Sequence, residues 1–415
     1  MACVASFSAD APAAGGHIHL GNFPLYLMSS PHLPVHSHAA VTDNADLIFL
    51  QRALDLILPK LAKVIQNLQE FALQYKDMPT LGFTHYQPAQ LITVGKRAAQ
   101  WIQELLMDLE DIETVREKLQ FRGAQGTTGS QATFLELFEG DADKIVRLNE
   151  VGADTVKVDL RVANAVCALG ATAERICSDI RHLANLKEME EPFEKSQIGS
   201  SAMAYKVGPV DYCEERRALT KLQRNPMRSE RITALGRKLA RLPANFTATF
   251  ETQWFERTLD DSAIRRMDIP EMFLLADSIL IALDNVTNGL VIYPNVIRSR
   301  IDQELPFMAT ESILMKLSTH GVSRQEAHEE IRVLSHQASD VVKQQGGRND
   351  LLERVKKTEF FKASSLIEWT QQVDPKLFIG NCPKIVEDYC NGEVAEKLAK
   401  YKESLDKAVT AQLSI

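Results

Sequence analysis

The sequence predicts an all-α protein, a bundle of long helices with a small helical domain near the C-terminus. After Thr42, two interleaved series of apolar residues recur every seven positions, which is the pattern of helices packed along their length. The first series is Leu47, Leu54, Leu61 and Leu68, and the second is Leu50, Ile57, Val64 and Phe71. Alternating patterns typical of strands are scarce. Both observations favour a helical bundle.

The helices are expected in the following order. The first begins after Thr42 and contains Pro59, which predicts a kink because proline lacks the N–H that a helix needs. A second helix is expected over 89–120, where one face is apolar. Its members are Leu91, Val94, Ala98, Trp101, Leu105, Leu109 and Ile112. Further helices are expected over 158–188, 228–250 and 268–291, followed by a helical tail that is interrupted at Gly346-Gly347 and over 380–383.

These patterns divide the chain into three parts. Residues 1–40 carry five of the ten histidines and a single acidic residue, and we expect a poorly ordered leader. The alternative is a metal-binding histidine cluster, but the leader lacks a defined ligand spacing, so we expect no metal site. Residues 41–293 are expected to form the central helical-bundle domain. Residues 294–415 are expected to form the C-terminal helical domain.

Bulk properties exclude several classes of function. The chain has 415 residues and a net charge of −8, which argues against a general nucleic-acid-binding protein. We find no apolar run of the roughly 18 residues that a membrane span requires, and no basic region typical of a secretory signal. The six cysteines form no metal-binding spacing and predict reduced thiols in a cytoplasmic protein.

A histidine lies in a polar segment between the first two predicted helices. The segment reads Thr84-His85-Tyr-Gln-Pro-Ala-Gln90. A lone histidine in a loop is more often structural than catalytic. Here Thr84 and Gln87 could fix the tautomer of the imidazole, which favours a role in proton transfer.

A second loop is rich in glycine and hydroxyl groups. Glycines at 123, 126 and 129 surround Thr127 and Thr128, and such a turn lets backbone and hydroxyl groups approach a carboxylate or phosphate. Gly/Thr turns are common, so the signal is weak by itself.

The third loop contains Gly199-Ser200-Ser201 followed by Lys206, and later by Asn225-Pro226. Gly-Ser-Ser alone is typical of a linker. A serine that acts as a base needs an environment that stabilises its alkoxide, and loop N–H groups together with Lys206 could provide it. Residues 207–223 separate the two halves of this loop.

The fourth segment, residues 253–266, carries Arg257, Ser262 and Arg266. A charge run is usually a solvated helix face. Two guanidinium groups and a hydroxyl at this spacing suit the planar carboxylate and phosphate groups of a ligand.

Together, in this order, the four segments resemble those of the adenylosuccinate lyases in the fumarase/aspartase superfamily. The resemblance covers Thr42 to Ile415, and the Arg257–Arg266 string disfavours argininosuccinate lyase. It implies a fumarase/aspartase-type bundle that assembles as a homotetramer, with each active site built from three subunits. It also implies a purine nucleotide substrate, elimination of fumarate from adenylosuccinate and from the succinyl-aminoimidazole-carboxamide ribotide, and no metal or redox cofactor.

The resemblance also implies individual roles. Ser200 would be the base that removes the Cβ proton, and His85 the acid that protonates the leaving nitrogen. The residues implied to bind the substrate are Thr84, Lys206, Asn225, Arg231, Arg257, Ser262 and Arg266. Thr127, Thr128 and Ser201 are implied to support the site.

The chain departs from the family pattern in three places. The family's N-terminal domain is expected to be largely missing, and the segment between Arg147 and Val158 is too short to hold the family's substrate-binding segment. The third departure is the 207–223 insertion, which begins with Val and ends with Gln, as a retained intron translated in frame would. Sequencing the transcript tests this hypothesis. We expect the fold to tolerate the insertion better than turnover does. The alternative to an active lyase is a catalytically impaired paralogue or mis-spliced scaffold subunit that assembles with intact lyase.

Overall fold

The computed structural model describes residues 38–121, 129–148, 157–192, 225–255, 258, 260–319, 321–358 and 373–407, with the side chains at 38–43, 133, 147–148 and 316 left aside. The predicted leader therefore lies almost wholly outside the described residues. Within these ranges, no helix combines the length and apolar character needed to cross a membrane.

Long helices dominate the described chain. They are α1 His38–Gln74, α2 Val94–Glu117, α3 Ala132–Leu137, α4 Ala142–Leu148, α5 Lys157–Asn185, α6 Met227–Leu239, α7 Pro243–Glu251, α8 Asp261–Thr287, α9 Pro294–Thr319, α10 Arg324–Gln345 and α11 Leu351–Lys357. Short helical turns follow, namely Pro375–Phe378, α12 Cys382–Tyr389, Cys390–Val394, α13 Ala395–Leu398, Ala399–Tyr401 and α14 Lys402–Lys407. The strands are β1 Pro79–Thr84, β2 Gln87–Thr93, β3 Met189–Glu190 and β4 Val291–Ile292. The all-α prediction is confirmed.

The predicted apolar series form the core. All eight members of the two series on α1 are buried, and so are all seven residues of the apolar face predicted around 89–120. Trp101 is 1% exposed, and its indole N–H donates to Asp179 of α5 at 2.9 Å. The seven-residue spacing therefore identifies the packed faces of α1 and α2 correctly.

Three predicted element boundaries were wrong. Residues 87–93 form strand β2 rather than the first turns of a helix, and α2 begins at Val94 with Thr93 as its N-cap. The region 228–250 contains two helices separated by a turn over 240–242, with Pro243 in the first turn of α7. Helix α8 begins at Asp261, earlier than the predicted 268. Helix α1 runs through Pro59 without interruption, and the kink stays a prediction.

Polar contacts fix the directions of the helices. The N–H of Gly95 donates to the carbonyl of Tyr75 while Arg116 pairs with Asp55, so α1 and α2 are antiparallel. Glu104 of α2 pairs with Arg175 of α5 at 2.8 Å, close to the Trp101–Asp179 contact, so α5 runs antiparallel to α2.

Helices α5 and α8 are parallel. Arg265 binds Asp159 near the start of both helices, and β3 pairs with β4 just beyond their ends. Helix α6 is antiparallel to α5, because Arg181 contacts Thr233 and Glu174 contacts Arg237. The two meet closely at a glycine pair, where a Cβ on Gly170 would lie 2.6 Å from the carbonyl oxygen of Gly236.

The bundle thus has two ends, which we name by their contents. The hairpin end holds β1 and β2, the ends of α1, α5 and α8, and the starts of α2 and α6. The distal end holds the starts of α1, α5 and α8 and the ends of α2 and α6.

The C-terminal part contributes to two cores. Helices α9, α10 and α11 bury a second apolar cluster that includes Ile313, Ile331 and Leu351. Val386, Cys390 and other residues between 379 and 405 pack instead into the main core of the bundle. The predicted division at residue 294 stays a prediction.

Candidate active site

His85 lies at the tip of a two-residue β-hairpin turn. Thr84 pairs with Gln87, and the two residues between them, His85 and Tyr86, have φ angles of 53° and 60°. Positive φ at both central positions is the geometry of a type I′ turn, which glycine or asparagine usually occupies. Side chains in the left-handed region are strained by roughly 1–2 kcal/mol each, and such strain is concentrated at functional sites. Both Thr84 and His85 are exposed.

Tyr86 places the hairpin tip beside the end of α5. Its ring meets the imidazole of His182 edge-on, with 5.8 Å between ring centroids and 89° between ring planes. Tyr86 is otherwise 84% exposed. The tip therefore projects past the bundle, with His85 accessible from outside this chain.

A buried carboxylate anchors the base of the hairpin. Glu188 accepts from Arg300 of α9 at 2.7 Å and from the Thr80 hydroxyl of β1 at 3.5 Å. Arg97 of α2 donates to the carbonyl of Leu81 at 2.6 Å. Burial lowers the pKa of Arg97, and the nearby charges of Glu188 and Asp179 oppose that shift. These bonds tie the hairpin to α2, α9 and the segment that follows α5.

The loop predicted to carry the catalytic base starts and ends at the hairpin end. Ser200, Ser201, Lys206 and the 207–223 insertion lie outside the described residues, but both flanks are described. The loop begins shortly after β3, and Glu188, which directly precedes β3, contacts the hairpin. The described chain continues at Asn225, just before α6.

Asn225 and Arg231 lie beside this loop, at the start of α6. Asn225 is half-buried, and its carbonyl accepts from the N–H of Met227 at 2.8 Å. Arg231 is exposed. Its neighbour Glu230 lies 3.9 Å from Arg181 in the last part of α5, which places both predicted residues at the hairpin end.

Of the remaining predicted residues, Ser262 and Arg266 are described, and both belong to the distal end. Ser262 lies in the first turn of α8, where its carbonyl and hydroxyl oxygens accept from exposed Arg266 at 3.0 and 3.3 Å. Arg257 lies outside the described residues, just before this turn. Thr127 and Thr128 also lie outside them, in the segment that follows α2.

One chain therefore does not bring all of its predicted site residues together. Along α5, the His182 contact with Tyr86 and the Asp159 contact with Arg265 are separated by about 35 Å at 1.5 Å per residue. The structure groups Thr84, His85, Asn225 and Arg231 with the flanks of the Ser200 loop. It places Ser262 and Arg266 at the opposite end.

Sequence reasoning missed the buried charges that hold these segments. Arg265, next to the predicted Arg266, is 7% exposed and pairs with Asp159, Asp46 and Asp261. The signal was present, because extending the buried stripe of α8 backwards from Met272 leads to Asp268, Arg265 and Asp261. Glu188 and Glu191 lie in a short segment without periodicity, and no comparable signal marks them.

Four described cysteines, Cys167, Cys177, Cys382 and Cys390, are free thiols. Within the described ranges, His, Cys, Asp and Glu side chains form no group of three that could hold a metal ion.

Comparison with protein families gives two matches in this chain. A family model described as "Lyase" matches residues 37–221, and one described as "Adenylosuccinate lyase C-terminus" matches residues 306–389. The first covers the bundle from α1 through α5 and ends within the Ser200 loop, and the second covers most of the C-terminal helices.

Curated relatives and solved structures agree with these models. The chain is 49% identical to adenylosuccinate lyase of Schizosaccharomyces pombe over 429 aligned residues, which cover 99% of this chain and 82% of the relative. It is also 49% identical to the Saccharomyces cerevisiae adenylosuccinate lyase, covering 98% of this chain and 81% of the relative.

A solved fumarate lyase from Mesorhizobium sp. BNC1 superposes with a TM-score of 0.69 at 21% identity, over 94% of this chain and 81% of that one. A 3-carboxy-cis,cis-muconate lactonizing enzyme from Pseudomonas putida gives 0.71 at 18% identity, over 97% and 81%. Identities this low show a shared fold. The level and extent of the identity to the curated relatives show that the chain belongs to the adenylosuccinate lyase family.

Proposed function

We propose that this chain catalyses the β-elimination that releases fumarate from adenylosuccinate to give AMP, and from the succinyl-aminoimidazole-carboxamide ribotide. The observation that carries the proposal is the 49% identity to curated adenylosuccinate lyases over 99% of the chain. All four chemistry-bearing segments also occur in the order of that family. Identity of this extent favours an enzyme over the alternative of a non-catalytic scaffold subunit.

In the proposed reaction, Ser200 removes the Cβ proton of the succinyl group and His85 protonates the nitrogen that leaves. Each proton transfer contributes about 10²–10⁴-fold to the rate when the groups are well placed. The exposed hairpin tip supports the role of His85, because its imidazole is held on a strained turn and faces away from the core of its own chain.

The carbanion formed by proton removal passes its charge to a carboxylate, and this dianion needs donors that are already in place. We assign Lys206 and Asn225 to this charge. Arg231, Arg257, Ser262 and Arg266 are assigned to the phosphate and carboxylates, with Thr84 beside His85. Thr127, Thr128 and Ser201 support the site from neighbouring loops. This chemistry uses no metal or redox cofactor.

We propose that the chain assembles into a homotetramer with sites shared between subunits, and the separation of these groups supports the sharing. Residues about 35 Å apart on one chain cannot contact one substrate, whereas the hairpin end of one copy can meet the distal end of another. Large apolar side chains spaced seven residues apart are exposed on two adjacent parallel helices: Phe49 and Leu56 on α1, and Met267 and Leu274 on α8. Such patches mark interaction surfaces. The scattered cysteines support a cytoplasmic location.

An ultraviolet assay with adenylosuccinate tests the function. We expect the purified chain to convert adenylosuccinate to AMP and fumarate, and His85→Ala to lose at least about 100-fold of that rate. Absence of product from folded, oligomeric protein contradicts the proposal.

A further inference from the structure

Glu191 is a buried carboxylate that joins the two flanks of the Ser200 loop. Its side chain is 1% exposed and directly precedes Pro192, the last described residue before the loop. One oxygen, Oε1, accepts from the backbone N–H of Arg228 at 2.9 Å. The other, Oε2, accepts from the N–H and the hydroxyl of Ser229 at 2.9 and 2.8 Å. In the sequence, the accepting residue precedes the loop, and the residues that provide the three donors follow it.

A second bond closes the same gap. The guanidinium of Arg228, which is 4% exposed, donates to the carbonyl of Pro192. Residues 191–192 and 228–229 therefore meet directly, and we call this four-residue junction the neck of the loop. Whatever path residues 193–224 follow, they leave from and return to the neck.

The neck is also fixed to the bundle. Strand β3, immediately before Glu191, pairs with β4 through Met189–Ile292 and Glu190–Val291. Gly289, after the end of α8, lies so close to Pro192 that an added Cβ would be 2.6 Å from the proline Cβ. Strand β4 and the residue Gly289 thus adjoin the outgoing flank, and the returning flank continues into α6.

A carboxylate suits this position for a physical reason. The N-cap of α6 is Pro226, which offers no side-chain hydrogen bond to the open N–H groups of the first turn. Glu191 supplies both missing acceptors and places its negative charge at the positive end of the helix dipole. Burial raises the pKa of Glu191, and the hydrogen bonds from Arg228 and Ser229 oppose that rise.

We propose that Glu191 is a positioning residue that closes the neck, and so holds the two ends of the Ser200 loop, including Asn225, in place for elimination. The proposal rests on the proposed function. It explains how the fold accommodates residues 207–223, because lengthening a loop whose ends are pinned adds only a small entropic cost of closure and leaves the neck unchanged.

The test uses the full chain and three substitutions in the neck. Glu191→Gln keeps the shape but leaves one acceptor oxygen and places an NH2 group against a donor. Glu191→Asp keeps both oxygens on a shorter side chain. Ser229→Ala removes only the hydroxyl donor. Asp108→Asn is the matched control, because Asp108 is a carboxylate in α2 with 6% exposure and lies outside the site.

We expect Glu191→Gln to lower kcat for adenylosuccinate by about 10–100-fold while KM changes less than about threefold, since misplacement near 1 Å costs on this scale. Glu191→Asp should recover part of the loss, and Asp108→Asn should leave kcat unchanged. Hydrogen exchange at the amides of Arg228 and Ser229 should accelerate at least about tenfold in Glu191→Gln and remain unchanged in Asp108→Asn.

Wild-type kcat together with wild-type amide exchange in Glu191→Gln overturns the proposal. An increase in KM with unchanged kcat also overturns it. If Glu191→Gln does not fold, Ser229→Ala provides the test. We expect its kcat to fall by about threefold, and a wild-type kcat in Ser229→Ala overturns the proposal. If the unsubstituted chain has no lyase activity, the proposed function fails on that result. Unchanged amide exchange in Glu191→Gln separately overturns the proposed role of Glu191 in closing the neck.

Discussion

Arg265 Nε lies 2.6 Å from Asp159 Oδ2, and this ion pair is buried at the distal end of the bundle. The same guanidinium lies 3.2 Å from Asp46 on α1 and 3.9 Å from Asp261 in the first turn of α8. One side chain thus joins α1, α5 and α8 at the turn that presents Ser262 and Arg266. The charge beside the predicted ligand-binding arginine is therefore part of the scaffold.

Replacing this buried guanidinium should destabilise the fold. Arg265→Met removes the guanidinium that pairs with buried Asp159, and breaking a buried ion pair costs about 3–5 kcal/mol. The control is Arg298→Met, which removes a pair with Asp302 in which both side chains are more than half exposed and should lose less than about 1 kcal/mol. Urea unfolding at one protein concentration measures both. Equal free energies of unfolding for the two variants would show that the buried pair contributes little.

Stability should also depend on pH through Asp108. Burial raises the pKa of Asp108 to about 7, with Asp111 and Glu104 adding to the rise and a hydrogen bond with Thr172 opposing it. Between about pH 4 and about pH 7 the folded state keeps a proton that the unfolded chain has released, so the free energy of unfolding falls as the pH rises. The loss is complete above about pH 7.

Asp108→Asn removes this titration. Relative to the unsubstituted chain, the variant should gain stability between about pH 4 and about pH 8, by at most about 4 kcal/mol for a shift of this size. Urea unfolding at both pH values gives the difference, with Asp302→Asn as the exposed control. A stability difference that is the same at both pH values would exclude the raised pKa.

Removing residues 207–223 should increase turnover. The deletion joins Lys206 directly to Arg224 and restores the unbroken loop motif, so kcat for adenylosuccinate should rise by about 10–100-fold. The midpoint of thermal unfolding should change little, because the loop ends remain joined at the neck. A Gly/Ser segment of equal length in place of 207–223 is the control and should stay as slow as the parent chain. Equal kcat for the parent and the deletion variant would mean that the insertion does not affect catalysis.

The sequence predicts the parts of the fold in which side-chain periodicity decides the structure. Every member of the Leu47 and Leu50 series is buried, because residues that repeat every seven positions stay on one face of a helix. The hairpin escaped prediction because a two-residue turn with positive φ is usually marked in the sequence by Gly or Asn. Here His85 and Tyr86 occupy those two positions instead. Arg265 escaped prediction because a charged residue on a buried stripe contradicts the usual pattern.

The candidate site was harder to predict than the fold. Sequence motifs identify residue types and order, and they give no distance between segments. Ser262 and His85 were expected in one site, and the chain places them at opposite ends of helices that run the length of the bundle. The directions of α5 and α8 support the proposal that further copies of the chain join them.

Subunit complementation tests this central claim most directly. His85→Ala changes the hairpin end and Arg266→Ala the distal end, so each variant alone should be nearly inactive. After denaturation and joint refolding of equal amounts, random assembly leaves about one quarter of the sites with both intact residues, and activity should return to about that fraction of the unsubstituted chain. The same two preparations mixed without subunit exchange should stay inactive. A jointly refolded mixture no more active than either variant would contradict a site shared between subunits.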